Sequence, residues 1–277
     1  MRLITTLALT VLLGCGSDTL PNFSKLEGLR ILAVRAEAPE TLPAAGAITI
    51  KALLYDRDGR TLNYVASICT DPGIARGATP SCSSASDATQ VASSSVTPGA
   101  NRLSEITLTV PNTPSTVLST ASAVEAYNGV GYLFVLQVTS ADGAASQSAF
   151  KQLVVSDATK TTKNQNPNFN VTGILAQGVA INAMPTTEIT LAPSLVAGAE
   201  ESYLFKVDAS VTIPLTESIT VTWLGSDGEF ARTRSIGLSA TNTFTPPTTA
   251  VSGYTPVLVA IARDPRGGVA WTSVDLP

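Results

Sequence analysis

Gly131-Tyr132-Leu133-Phe134-Val135-Leu136-Gln137-Val138-Thr139-Ser140-Ala141-Asp142 has an echo later in the chain, Gly253-Tyr254-Thr255-Pro256-Val257-Leu258-Val259-Ala260-Ile261-Ala262-Arg263-Asp264. With residue 131 laid on residue 253, an offset of 122, five of twelve positions agree: Gly131/Gly253, Tyr132/Tyr254, Val135/Val257, Leu136/Leu258 and Asp142/Asp264. Each stretch is β-rich and reaches a turn signal, Asp142-Gly143 in one and Asp264-Pro265-Arg266-Gly267-Gly268 in the other. Each then enters a second strand candidate, 146–155 or 269–276, so both read as hairpins. A hairpin recurring at a fixed offset is explained most simply by a repeated unit of about 120 residues. The expectation is an all-β chain built of two tandem β-sandwich domains.

Working outward, the first unit offers strand candidates at 29–36, 48–55, 61–68, 103–110, 131–139 and 146–155. Alternation is partial: Ile48, Ile50, Ala52 and Leu54 share one face, and Ile106, Leu108 and Val110 another. Short strands separated by turns suit a sandwich. The exception is 115–127, where Val117, Ala121 and Val124 fall at helical spacing after Pro114, predicting a short crossing helix. Residues 157–170, polar and rich in Thr, Lys and Asn, read as a linker. Beyond them come 171–175, 202–208, 218–224 and a weak strand near 232–238. Ile219, Val221 and Trp223 share one face there, so Trp223 is expected to point inward, as the buried tryptophan of an immunoglobulin-like strand does.

The amino end reads Met1-Arg2-Leu3-Ile4-Thr5-Thr6-Leu7-Ala8-Leu9-Thr10-Val11-Leu12-Leu13-Gly14-Cys15. One positive charge precedes an uncharged apolar run, the pattern of a secretory signal. The run is shorter than the ~20 residues a spanning helix needs. Leu12-Leu13-Gly14-Cys15 resembles the lipobox of bacterial lipoproteins. That resemblance implies cleavage before Cys15, diacylglycerol on its thiol and a membrane as partner through that lipid. By the same resemblance Gly16, in place of an aspartate, points to the outer rather than the inner membrane. The polar segment from Gly16 to Asn22 reads as a tether, and ten such residues reach at most about 35 Å. Three further patches, 26–40, the loop bounded by Cys69 and Cys82, and 263–271, resemble lipoproteins of myxobacteria and related bacteria, a family defined by its anchor. The expected organisation is therefore a signal peptide (1–14), lipidated cysteine and tether (15–25), an immunoglobulin-like sandwich (26–156), a linker (157–170) and a second sandwich (171–277).

Composition narrows the function. The chain carries 17 basic and 21 acidic residues, a mild acidity that argues against nucleic acid as a partner. It has no histidine, which excludes Ser-His-Asp and Cys-His devices. With Cys15 lipidated, Cys69 and Cys82 remain as an even pair, expected to form a disulfide stapling a Pro/Gly-rich loop. Two cysteines without further ligands cannot complete a zinc shell, so no metal is expected. Glu37 with Glu40 and Glu200 with Glu201 are the carboxylate pairs on offer for acid–base hydrolysis, but they fall where loops and strand ends belong. Asp56-Arg57-Asp58-Gly59 has the look of a calcium loop and reads more simply as a hairpin turn between 48–55 and 61–68. The expectation is a non-enzymatic binding, adhesion or scaffold module, without cofactor, contacting an envelope protein or a polysaccharide. Carbohydrate binding, with Trp271 as the stacking residue, is the alternative.

Overall fold

The computed structural model describes residues 22–42, 46–70, 82, 86–111, 118, 120–249 and 252–277. The signal segment, Cys15, the tether through Pro21, the interior of the Cys69–Cys82 loop and the first part of the expected helix lie outside the described residues. The chain is all-β. Its first strands are β1 (Leu29–Ala36), β2 (Glu40–Thr41), β3 (Ala47–Asp56), β4 (Leu62–Thr70), β5 (Thr89–Val96), β6 (Leu103–Pro111), β7 (Val130–Ser140) and β8 (Ser146–Val155). A single-turn helix, α1 (Ala123–Asn128), precedes β7. There follow β9 (Phe169–Ala176), β10 (Val179–Ala180), β11 (Ile189–Leu195), β12 (Ser202–Lys206), β13 (Thr212–Thr216) and β14 (Thr220–Gly225). The last are β15 (Glu229–Phe230), β16 (Arg234–Ile236), β17 (Asn242–Thr245), β18 (Val257–Arg263) and β19 (Val269–Asp275).

The strand order repeats. In the first half, β1-β3-β6 form one sheet and β2-β8-β7-β4-β5 the other. In the second half, β10-β9-β11-β17-β15 and β16-β14-β18-β19 form two sheets, with β12-β13 a separate ribbon. Thus β1-β3-β6 has its counterpart in β9-β11-β17, and β5-β4-β7-β8 in β16-β14-β18-β19. The two echoed stretches fall on β7–β8 and β18–β19 and lead into hairpins. The agreeing aspartates do the same job in both turns. Asp142 Oδ1 accepts from Ala144 N at 3.0 Å, and Asp264 Oδ1 accepts from Arg266 N at 2.8 Å, each an Asx turn.

The sheets stack in four layers around three apolar cores. Ile50, Leu54, Leu108, Phe134, Leu136 and Leu153 fill the space between the first two sheets. Trp223, Phe230, Phe244, Leu191 and Leu258 fill the space between the last two. A third core joins the halves: Leu32, Leu53, Tyr55 and Leu103 meet Leu224, Val257, Val259 and Ile261. Where the two inner sheets meet they are covered on both faces, so β18 reads as an apolar run, while β6 keeps its alternation. In β18, Leu258, Ala260 and Ala262 serve one core while Val257, Val259 and Ile261 serve the other. Trp223 points inward as expected, fully buried, its Nε1 donating to Ser235 Oγ at 2.8 Å.

Three local expectations change. The Asp56–Gly59 turn does not close a hairpin: β3 pairs with β1 and β6 while β4 pairs with β5 and β7, so the turn is a corner between two sheets. Among the described residues the expected helix is interrupted: Leu118 is helical, 120–122 are not, and α1 follows, fixed by a capping box in which Ser122 and Glu125 satisfy each other's backbone N–H groups. The polar segment after Ser156 is held down rather than loose. Asn166 Nδ2 donates to Ala36 O at 2.7 Å and its Oδ1 accepts from Val269 N at 2.8 Å, while Lys160 and Asn164 are buried.

Candidate functional site

The segment after Ser156 crosses a buried cluster of charge at the seam between the halves. Lys160 Nζ lies 2.6 Å from Glu40 Oε1, and Asn164 N donates to Glu40 Oε2 at 2.8 Å. Arg266, on the β18–β19 turn, donates from Nε to Glu217 Oε1 and from Nη2 to Glu201 Oε2, both at 2.6 Å, and its Nη1 stands 3.9 Å from Glu40. Tyr203 covers the guanidinium face at 4.2 Å. Burial pushes the Glu217 carboxyl above its usual range, with Arg266 pulling the other way. Of the carboxylate pairs offered by the sequence, the structure brings Glu40 and Glu201 to one arginine. Glu37 instead pairs with Arg35 at 2.6 Å, and Glu200 accepts from Ile219 N at 3.1 Å. Each carboxylate thus holds a cation or a backbone donor, which is the chemistry of a joint. Glu217 and Arg266 were not singled out from the sequence, because their meeting depends on the two hairpins being brought together in space.

The other named residues fall as follows. Cys69 and Cys82 form a disulfide with Cα atoms 5.9 Å apart, and the pair packs with Leu133 and Val135 on the outer face of β7. Asp56 is fully buried, and both its oxygens are taken by Arg60, through Nη2 at 2.6 Å, Nε at 3.1 Å and the backbone N at 2.8 Å. This is a structural turn: its carboxylate is buried behind Arg60, which holds both oxygens. Trp271 is half-buried against the central core, and the Arg35 guanidinium sits over its ring at 5.2 Å. One ring face is therefore occupied, which weakens Trp271 as a platform for a sugar.

Two open surfaces stand out among the described residues. The β12–β13 ribbon pairs Tyr203 with Leu215 and Phe205 with Ile213, and Val207 N donates to Val211 O. These six side chains lie on one face. Five of them, Phe205, Val207, Val211, Ile213 and Leu215, are exposed by 37–52%. The ribbon is anchored near its turn by Asn128, which donates to Lys206 O at 2.8 Å and accepts from Lys206 N at 2.9 Å. The second surface is a trough of ≈ 1080 Å³ where the β16-β14 side of the β16-β14-β18-β19 sheet extends past β1, floored by Leu32, Leu224 and Ile261 and rimmed by Phe23 and Phe150. It runs into a smaller hollow of ≈ 430 Å³ beneath the β18–β19 turn, with Ile31, Leu32, Phe150, Arg263, Asp264 and Pro265 common to both.

No family model matches this chain, and no curated protein matches it. Among solved structures it has a distant likeness to the YadV chaperone, at 8% identity, 88% of this chain, 99% of that chain and a TM-score of 0.26. A second likeness is to the E. coli chaperone DraB, at 8% identity, 90% and 97% coverage and the same TM-score. Likenesses this weak carry no argument about what the chain does.

Proposed function

We propose that this chain is a lipid-anchored envelope protein whose folded part is a non-enzymatic binding or scaffold module of two tandem immunoglobulin-like sandwiches. The repeated strand order supports the tandem reading, with residues 26–156 and 171–277 as the two units and 157–170 between them. The signal pattern ending in Cys15 supports the anchor, and the outer membrane is the proposed address. The single observation that carries the binding role is the β12–β13 ribbon. Its exposed apolar face is held on a fixed frame, where an exposed contiguous apolar patch marks an interaction site.

Two experiments test the reading. Metabolic labelling with a palmitate analogue should mark the wild type and spare Cys15→Ser; equal labelling of both removes the anchor. A photo-crosslinking residue placed at Ile213 in intact cells should give one defined protein adduct. Recovery of polysaccharide alone would instead favour the glycan reading, and adducts no different from those at an exposed polar control site such as Asp58 would remove the ribbon as a binding face.

A further inference from the structure

We propose that the trough beside β1 binds an extended acidic segment of a partner protein, its carboxylates meeting Arg263 and Arg234 and its apolar side chains lying on Leu32, Phe150 and Ile261. The inference rests on the binding role above and adds to the ribbon a second site with a partner chemistry of its own. Its first support is a local excess of positive charge in a chain whose net charge is −4. Arg30, Lys151, Arg234 and Arg263 all line the trough and its hollow, with Asp264 as the opposing carboxylate.

These cations are also without ion-pair partners among the described residues. Arg263 donates to Thr222 Oγ1 at 3.1 Å and to the Leu32 carbonyl at 3.0 Å, and Arg30 donates to the carbonyls of Phe23 and Lys25. Lys151 donates to the Gly267 carbonyl, and Arg234 makes no side-chain hydrogen bond. Burial and the nearby charge of Arg234 hold the Arg263 guanidinium below its ordinary range, a penalty that an incoming anion would relieve. An apolar floor beneath cations selects an acidic peptide with bulky side chains over a uniformly hydrophilic polyanion.

The occupant is held through side chains rather than by adding a strand. β1 carries a bulge at Leu32, whose carbonyl Arg263 already occupies. β8, covered by β2 only at Val154 and Val155, turns Lys151 toward the interior between Ala149 and Leu153, and an inward charge on the open part of a strand edge discourages pairing.

The test is fluorescence anisotropy on the full chain in detergent, with a labelled peptide alternating glutamate and leucine, its lysine–leucine counterpart, and sodium polygalacturonate as competitor. The glutamate peptide should bind at least tenfold more tightly than the lysine peptide, weaken as salt rises, and resist polygalacturonate. Arg263→Gln should weaken it about tenfold. Arg234→Glu, at an exposed position, should weaken it at least as much and so keeps the test open if the first variant fails to fold. Equal binding of the two peptides, displacement by polygalacturonate at equal charge, or indifference to Arg234→Glu overturns the proposal. Loss of the trough with adducts still arising at Ile213 leaves the binding role standing; loss of both removes it.

Discussion

At the residue scale, Arg266 is where the molecule is most exposed to a single change. It neutralises Glu217 and Glu201 and faces Glu40, so its removal leaves acidic groups buried together. Arg266→Met is expected to cost about 3–5 kcal/mol in urea denaturation, because an uncompensated buried charge remains. Adding Glu217→Gln should recover part of that loss. Lys151 gives the opposite sign. Burial pulls its pKa from 10.5 down to about 8, so between those values the unfolded chain binds more protons than the folded one. Stability should therefore rise with pH across that window. Relative to Lys151→Met, the wild type should gain about 1–3 kcal/mol from pH 7.5 to pH 10.5. Parallel stability curves for the two proteins would contradict it. Neither role was readable from sequence: Lys151 looks like a polar residue on an ordinary strand, and its inward direction gains meaning only because β2 leaves that part of β8 uncovered.

At the element scale, the strands legible in the sequence were those with strong apolar content. β1 and β8 match their expected bounds, and Trp223 lands where the alternation of 219–223 placed it. The strands that escaped notice have physical reasons for it. β5 is Ser-rich and half-exposed at a sheet edge, so nothing in it demands a core. β11 carries Pro193 beside a register shift, which is how a strand accommodates a proline. The Cys69–Cys82 staple, with a sequence separation of 13, was legible from cysteine arithmetic. Replacing both cysteines by serine should lower stability by about 3 kcal/mol under oxidising conditions, and the difference should vanish in reductant. The ribbon behaves otherwise. Phe205→Ser with Ile213→Ser should change stability by less than about 1 kcal/mol, since side chains this exposed in the free protein contribute little to its folding. A loss of several kcal/mol in thermal unfolding would mean that the ribbon packs against its own frame.

At the scale of the whole molecule, the sequence offered two tandem units joined by 157–170, and the structure adds a core shared between the halves. The repeat was visible because hairpins carry local signals, but the central core was not. Leu32, Leu53, Val259 and Ile261 are ordinary apolar residues until the second faces of β1, β3 and β18 find each other. Polar locks frame that core. Arg57 donates to Ser226 O at 2.7 Å and stacks on Tyr254 at 4.3 Å, and Asn101 donates to Asp275 at 2.8 Å. One calorimetric transition is therefore expected, with matching calorimetric and van't Hoff enthalpies. Val259→Asp should split it into two by placing a charge in the shared core.

The amino-terminal segment has a mechanical consequence. Leu26 is buried in the central core, its N–H donates to Gly225 O at 2.8 Å, and Gly225 N donates to Ser24 O at 2.8 Å. A pull on the chain from its amino end thus reaches the middle of the stack before it reaches either outer sheet. The load is shared by both halves from the first ångström, so such a pull is taken at the waist of the stack rather than at one end.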